Sequence, residues 1–360
     1  MFLLPLTGKM TYEGGVVMSK ALAPMFIAEI SANHLGNFER AQQLVLAAIK
    51  SGATAVKFQT YTAETMTLDL GTPEFRISDD HPLWGGEKLF TLYERAHTPW
   101  EWHAELFEIC RNHKVIPFSS PFDITAVDFL EGLNAPMYKI ASMETGDIPL
   151  IRKVAETGKP LIVSTGATEW KEIEELVSVV EKVGNKDLTL LVCTSSYPSD
   201  PIDAHLNRMA TLSNYFGVKV GLSDHTLGVG VSIAAIALGA VAIEKHLTIR
   251  RSDGGADGAF SMEPEEFALL VKEGTSAFQA LGNSEWSMQE SEQESRRLRR
   301  SLYVAKDVKA GEVVTRQNVR AIRPGGGCPP KLIDGMIGKK FRGDFLTGTP
   351  MTPDLIGTID

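Results

Sequence analysis

Between Met25 and about Leu281 the chain repeats one unit: a short run of β-branched and apolar residues, then a stretch with helical spacing. The runs are Met25–Ile30, Ala53–Gln59, Lys114–Ser119, Met137–Ala141, Pro160–Thr165, Leu188–Thr194, Val218–Ser223 and Ala240–Leu247. Between them lie Arg40–Lys50, Trp100–Asn112, Ile124–Gly132, Ile148–Thr157, Trp170–Val183, His205–Phe216 and Val229–Leu238, with the apolar spacing of one helical face. Eight such units in about 255 residues predict a (β/α)8 barrel, with parallel strands inside and a ring of helices outside. An open doubly wound sheet is the competing architecture. It is disfavoured because no Gly-x-Gly-x-x-Gly opens a helix after the first run.

The barrel does not use up 360 residues, and a second, smaller domain is expected. We divide the chain into an N-terminal extension (1–24), the barrel (25–282), a linker (283–300) and a small β domain (301–360). Met1 to Lys20 has a short apolar patch but no basic start, sustained apolar run or small-residue cleavage site, so it reads as a loose extension, not a signal peptide. The linker is polar and ends in Arg296, Arg297, Arg299 and Arg300, with Glu292 and Arg296 spaced to pair on a solvated helix. Beyond it, a Gly- and Pro-rich tail carries strand-like pieces at Leu302–Ala305 and Val313–Val314. A net charge of −9 argues against nucleic acid or an anionic membrane as partner. No apolar run approaches the length of a membrane span. Three cysteines, Cys110, Cys193 and Cys328, are few, odd in number and far apart, which fits a reducing, cytoplasmic compartment and excludes a cysteine zinc site.

In a barrel of this kind chemistry gathers where the strands end. Nearly every run here ends in polar groups: Glu29, Lys57 and Gln59, Ser119 and Ser120, Lys139 and Ser142, Ser164, Ser195, Ser223 with His225, and Glu244 with His246. Side chains two apart on a strand share a face, so His225 and His246 are expected at one mouth on adjacent strands. Two imidazoles about 4.8 Å apart in strand spacing can share a metal ion, and so few protein ligands favour an exchangeable divalent ion over structural zinc. Either histidine taken alone is better explained as a satisfied core residue. Lys57 and Lys139 among the hydroxyls of Ser142, Ser164, Ser195 and Ser223 suit a small dianion, a phosphate beside a carboxylate. Glu29 and Glu144 stand near that field as proton-transfer or sugar-hydroxyl partners. The gap from Thr60 to Pro99 exceeds an ordinary loop and is expected to cover the mouth.

The segments Ile27–His34, Val56–Thr60, Tyr138–Ser142, Val163–Gly166, Gly221–His225 and Ile243–His246 together resemble the sialic acid (nonulosonic acid) synthase family. The tail segment Ile322–Gly327 resembles the arginine loop of that family's antifreeze-like (SAF) domain. Ser31–His34, Leu83–Glu94, Thr98–His103 and Phe260–Pro264 are most similar to the pseudaminic branch. Gly254–Ala259 and Cys328 depart from the family pattern.

The resemblance implies a (β/α)8 TIM barrel followed by a SAF β domain, and condensation of phosphoenolpyruvate with an open-chain amino sugar. On the pseudaminic branch that sugar is 2,4-diacetamido-2,4,6-trideoxy-L-altrose. It further implies that His225 and His246 bind a divalent ion, manganese first and magnesium or cobalt as alternatives. Phosphoenolpyruvate falls to Lys57, Lys139, Ser142, Ser164, Ser195 and Ser223, and assistance to water addition at C2 falls to Glu29. The sugar falls to Gln59, Glu144, Tyr197, Asp257 and Arg323, the arginine being supplied by the partner in a domain-swapped homodimer. Leu83, Trp84, Phe90 and Tyr93 are expected to wall the sugar's apolar end, although the tryptophans Trp84, Trp100 and Trp102 read more readily as packing.

The rival readings are a sialic or legionaminic acid synthase, a synthase acting on a phosphorylated aldose, and a non-catalytic carbohydrate- or ice-binding protein. A second phosphate would need further strand-end cations, which the sequence lacks, and the tail's threonines are too irregularly spaced for an ice-binding face.

Overall fold

The computed structural model describes residues 23–80 and 84–357, so most of the expected N-terminal extension, and Leu83, lie outside the described residues. The chain divides into a larger unit ending at Gly282 and a smaller one beginning at Asn283.

In the larger unit eight parallel strands close into a barrel in sequence order. They are β1 (Met25–Glu29), β2 (Ala55–Thr60), β3 (Ile116–Pro121), β4 (Tyr138–Ile140), β5 (Leu161–Ser164), β6 (Leu188–Cys193), β7 (Lys219–Ser223) and β8 (Ala242–His246). The ring closes where Met25 pairs with Ala242 and Glu29 with His246. Helices start and stop on local chemistry. Asn37, Asp123 and Asp147 accept first-turn amide hydrogen bonds for the helices Phe38–Lys50, Ile124–Gly132 and Ile148–Ala155. Gly184, at φ +88°, ends Trp170–Val183 in the left-handed region that favours glycine.

Alternation along the strands makes two cores. Outward residues such as Phe26, Ala28, Val56, Phe58, Ile140, Val163, Leu190 and Ile243 pack under the helices. Inward residues Ile27, Ala55, Phe118, Met137, Ile162, Leu191 and Ala242 fill the barrel as a separate apolar plug. Among the described residues no helix is long and apolar enough to cross a membrane.

The excursion after β2 forms the helices Ala63–Met66 and Leu89–Ala96 and the 3-10 turn Pro73–Phe75. In the smaller unit β9 (Ser301–Val304) pairs antiparallel with β10 (Val319–Ile322) over a core including Leu302, Val304, Val314, Phe341 and Met351. The second strand-like piece forms only an isolated bridge, Val313 to Lys340. The expected Glu292–Arg296 pair is absent. Glu292 instead accepts from the amide of Gln289 at 3.1 Å, and Arg297 pairs with Glu294 at 2.7 Å. Capping the turn uses the carboxylate that the i,i+4 spacing offered to the arginine.

Candidate active site

The floor of the mouth follows from the plug. Two residues beyond each plug residue, the next inward side chain is polar: Glu29 after Ile27, Lys57 after Ala55, Ser120 after Phe118 and Lys139 after Met137. Ser164 after Ile162, Cys193 after Leu191 and Glu244 after Ala242 complete the layer, with Ser223 on β7. Strand periodicity thus turns an apolar barrel into a charged floor within one step. Above it lies a cavity of about 410 Å³ lined by Lys57, Gln59, Lys139, Ser142, Glu144, Ser164, Tyr197, Ser223, His225, His246 and Asp257, among others.

Charges alternate across the floor. Lys57 Nζ lies 2.7 Å from Glu29 Oε2 and 3.2 Å from Glu244 Oε1, and Lys139 Nζ lies 3.6 Å from the same Glu244 oxygen. Ser223 Oγ donates to Glu244 at 3.1 Å. The other oxygen of Glu29 accepts from Gln59 Nε2 and the amide of Ser31, each at 3.0 Å. Burial works to raise both carboxyls, but they end on opposite sides of the usual value. Lys139 and Lys57 overcome burial at Glu244 and hold it ionised at about 2. At Glu29 burial prevails over the pull of Lys57 and leaves the carboxyl above its usual range. Burial also lowers Lys139, while for Lys57 the two carboxylates outweigh burial and hold the ammonium charged. Two carboxyls pushed apart in this way can divide ionic and proton-transfer roles.

Beside the lysines the backbone gives way to hydroxyls. The amide of Gly166 donates to Ser142 Oγ at 3.0 Å. A Cβ at Gly166 would collide with Ser195 and Ser142, so only glycine admits this approach. Ser164 Oγ is buried with no protein partner. An unpaired buried hydroxyl is costly, and an anionic ligand in the cradle would satisfy it.

His225 and His246 face each other with ring centroids 5.4 Å apart. His225 Nδ1 lies 2.9 Å from the carbonyl of Thr194. A carbonyl only accepts, so Nδ1 carries a proton and the other ring nitrogen is left for Cys193 or a ligand. Burial opposes the charged form of His225, but its hydrogen bond to Cys193 prevails and raises it. His246 is half-buried, its Nδ1 has no partner among the described residues, and desolvation holds it far below its ordinary value. Two imidazoles facing each other on one cavity fit a divalent ion, which would displace any proton shared between His225 and Cys193. Among the described residues no group of three or more His, Cys, Asp or Glu is placed to hold one, so further ligands would be water or substrate oxygens.

A family model described as NeuB matches residues 44–286, and a SAF-domain model matches 299–356. The chain belongs to the NeuB family. It is 43% identical over 332 residues to the pseudaminic acid synthase of Helicobacter pylori, a match covering 92% of this chain and 97% of that one. The pseudaminic acid synthase of Campylobacter jejuni is 40% identical over 322 residues, 89% of this chain and 93% of its own. Among solved structures, the N-acetylneuraminic acid (sialic acid) synthetase of Leptospira borgpetersenii in complex with citrate is 32% identical, with a TM-score of 0.68 over 76% of this chain and 90% of that one. The resemblance read from the motifs is borne out over both units, and so is the barrel followed by a SAF domain.

In this NeuB-family chain the structure gathers Lys57, Gln59, Lys139, Ser142, Glu144, Ser164, Tyr197, Ser223, His225, His246 and Asp257 on one cavity, while Glu29 lies buried behind it, bonded to the lining residues Gln59 and Lys57. Ser195 stands beside it against Gly166. Arg323 is exposed in the smaller unit, at the end of β10. Lys139 is paired with Glu244. Trp100 and Trp102 pack against Phe129 and Phe38, whereas Trp84 lines the cavity near Tyr197, at 6.3 Å between centroids. Leu89 and Leu92 take the wall position expected of Phe90.

Glu244 and Cys193 are cavity residues to which the NeuB motifs assigned no role. Glu244 joins both lysines, and its alternation with His246 already put it inward. Cys193 sits beside His225: burial raises its thiol, but the hydrogen bond and charge of His225 bring it down to about 7. Its place two residues past Leu191 was the available signal.

Proposed function

We propose that the chain is a pseudaminic acid synthase, condensing phosphoenolpyruvate with 2,4-diacetamido-2,4,6-trideoxy-L-altrose and water to give pseudaminic acid and phosphate. The observation that carries this reading is one cavity holding two buried lysines, a hydroxyl cradle and two facing imidazoles. The 43% and 40% identities to pseudaminic acid synthases favour that branch.

Lys57, Lys139 and the hydroxyls of Ser142, Ser164, Ser195 and Ser223 would hold the phosphate and carboxylate of phosphoenolpyruvate. His225 and His246 would hold a divalent ion, manganese by preference, which supplies a Lewis acid for the sugar aldehyde. Gln59, Glu144, Tyr197 and Asp257 would orient the sugar so that its aldehyde carbon faces C3 of phosphoenolpyruvate. C3 of phosphoenolpyruvate would bond to the aldehyde carbon, leaving C2 electron-deficient and the aldehyde oxygen to become a hydroxyl. Water would add at C2 and lose one proton to Glu29. The bond from C2 to the phosphate oxygen would then break as the new C2 hydroxyl gives up its remaining proton and becomes the ketone, so that the two water protons end on the new hydroxyl and the phosphate. Glu29 suits this role because Gln59, the Ser31 amide and Lys57 fix its carboxyl.

Arg323 from a partner would complete the site in a domain-swapped homodimer and bind the N-acyl group. Use of phosphoenolpyruvate and three unbonded cysteines support a cytoplasmic location.

Sugar-dependent phosphate release from phosphoenolpyruvate tests the reading. The apolar wall of Ile77, Leu89 and Leu92 offers a 6-hydroxyl no partner, and stranding a hydroxyl costs about 1–3 kcal/mol. The sugar's second acetamide adds to the discrimination. We expect kcat/KM for the diacetamido trideoxy sugar to exceed that for N-acetylmannosamine by at least about a hundredfold, roughly 2.7 kcal/mol. Equal or better use of N-acetylmannosamine would move the chain to the sialic branch. No release with any amino sugar would leave a carbohydrate-binding protein.

A further inference from the structure

The two histidines are each preceded by a residue that alternation turns to the other side of the barrel wall: Asp224 before His225, and Lys245 before His246. These two form a buried ion pair, Lys245 Nζ to Asp224 Oδ2 at 3.1 Å, with 2% and 1% of their side-chain surfaces exposed. Lys245 spends its other two donors on the carbonyls of Thr226, at 2.5 Å, and Gly228, at 3.1 Å. Asp224 Oδ1 accepts from the amide of Thr226 at 2.9 Å and its hydroxyl at 2.7 Å. Asp224 Oδ2 accepts from Ser232 Oγ at 2.6 Å as well as from the lysine.

All three ammonium protons and both carboxylate oxygens are therefore used. The amide of Asp224 also donates to the carbonyl of Glu244 at 2.9 Å, so the loop is tied to β8 by backbone as well as side chain. A buried polar network that is fully satisfied fixes one arrangement of the chain around it. Here it fixes the loop bearing His225 against the strand bearing His246.

We propose that Asp224 and Lys245 are positioning residues: their ion pair clips the loop after β7 onto β8 and sets the spacing of the two imidazoles before a metal ion arrives. The inference rests on the reading that His225 and His246 hold that ion. Neither Asp224 nor Lys245 lines the cavity, so they act through the backbone and touch no substrate. A site with only two protein ligands depends strongly on their being held in place, because ordering them on binding would subtract from an already small affinity.

The test is manganese binding by substrate-free protein, read as free Mn²⁺ by electron paramagnetic resonance, together with the KM for phosphoenolpyruvate. Removing only one partner strands a buried charge and risks the fold. The main variant is therefore the double Asp224→Asn/Lys245→Met, and Ser232→Ala loosens the same network mildly if the double variant does not fold. We expect the manganese Kd to rise at least about tenfold in the double variant and about threefold in Ser232→Ala, with the phosphoenolpyruvate KM within twofold of wild type. Unchanged manganese affinity in a folded variant overturns the proposal. So does a parallel rise in Kd and KM, which would mean general loosening of the barrel. His225→Ala is the reference: if it binds manganese like wild type, the metal reading itself falls, and the clip with it.

Discussion

Glu29 and Glu244 show how far one environment can separate two identical groups. Both are buried and share Lys57, and Lys139 acts on both, but it pairs with Glu244, which also accepts from Ser223 and feels His246. The carboxylate with more cations stays ionised and anchors the lysines. The other keeps a higher proton affinity and is held by Gln59 and the Ser31 amide. Replacing Glu29 with Gln keeps the size of the side chain and removes the base. General-base contributions of this kind are on the order of 10²–10⁴-fold. We expect Glu29→Gln to lower kcat for phosphate release by about that factor while phosphoenolpyruvate KM moves only a few-fold, since Lys57 and Lys139 remain. A variant with wild-type kcat would take the proton-transfer role away from Glu29. Glu244 gave no such sign of its importance in the sequence. A carboxylate two residues before a strand-end histidine reads as one more polar strand end, and only the three-dimensional meeting of β2, β4, β7 and β8 reveals it as the common partner of both lysines.

At the level of elements, the eight strands lie within a few residues of the apolar runs, because each carries β-branched or apolar residues outward and a plug residue inward. The helices Ile124–Gly132 and Trp170–Val183 match their expected bounds, and both have periodic apolar faces closed by a cap or a left-handed glycine. The stretch from Thr60 to Pro99 was legible only as a long gap, since its helices are short. Two buried histidines bond to residues at its ends. His34 accepts from the Gly36 amide at Nδ1 (3.1 Å) and meets Thr98 at Nε2 (3.2 Å), while His103 meets Thr60 at 2.9 Å. Burial, with nearby cationic groups at His34, pulls each down to about 4. Below about pH 6.5 the unfolded chain binds protons that these folded imidazoles refuse, so stability falls as pH drops toward 4, by about 1.4 kcal/mol per pH unit per group. Urea titrations at pH 7.5 and 5 should show this loss. His34→Gln/His103→Gln should flatten it, and an unchanged pH slope in that variant would assign the acid sensitivity elsewhere.

For the whole molecule, the motif Ile322–Gly327 announced a functional loop in the tail, but a sequence cannot say which barrel a detached loop serves. The loop is stiffened within its own unit: Ser301 Oγ donates to the Pro324 carbonyl at 3.0 Å, and the amides of Gly325 and Gly327 donate to the Arg297 carbonyl and Ser301 Oγ at 2.8 and 2.9 Å. Arg323, at its start, is exposed, so it is a guanidinium presented on a fixed support. A stiff loop with an exposed cation suits delivery to another surface better than closure over its own unit. In a symmetric dimer with exchanged tails, each barrel would take Arg323 from the other chain. Mixing two inactive proteins separates this from action within one chain. A Glu29→Ala chain retains the arginine and a Arg323→Ala chain retains the carboxylate, so a mixed dimer contains one complete site of two. Random exchange makes about half the dimers mixed, and recovered phosphate release should approach about a quarter of the wild-type rate at equal protein concentration. If mixed dimers are demonstrated by native mass spectrometry and stay inactive, Arg323 serves its own barrel or none.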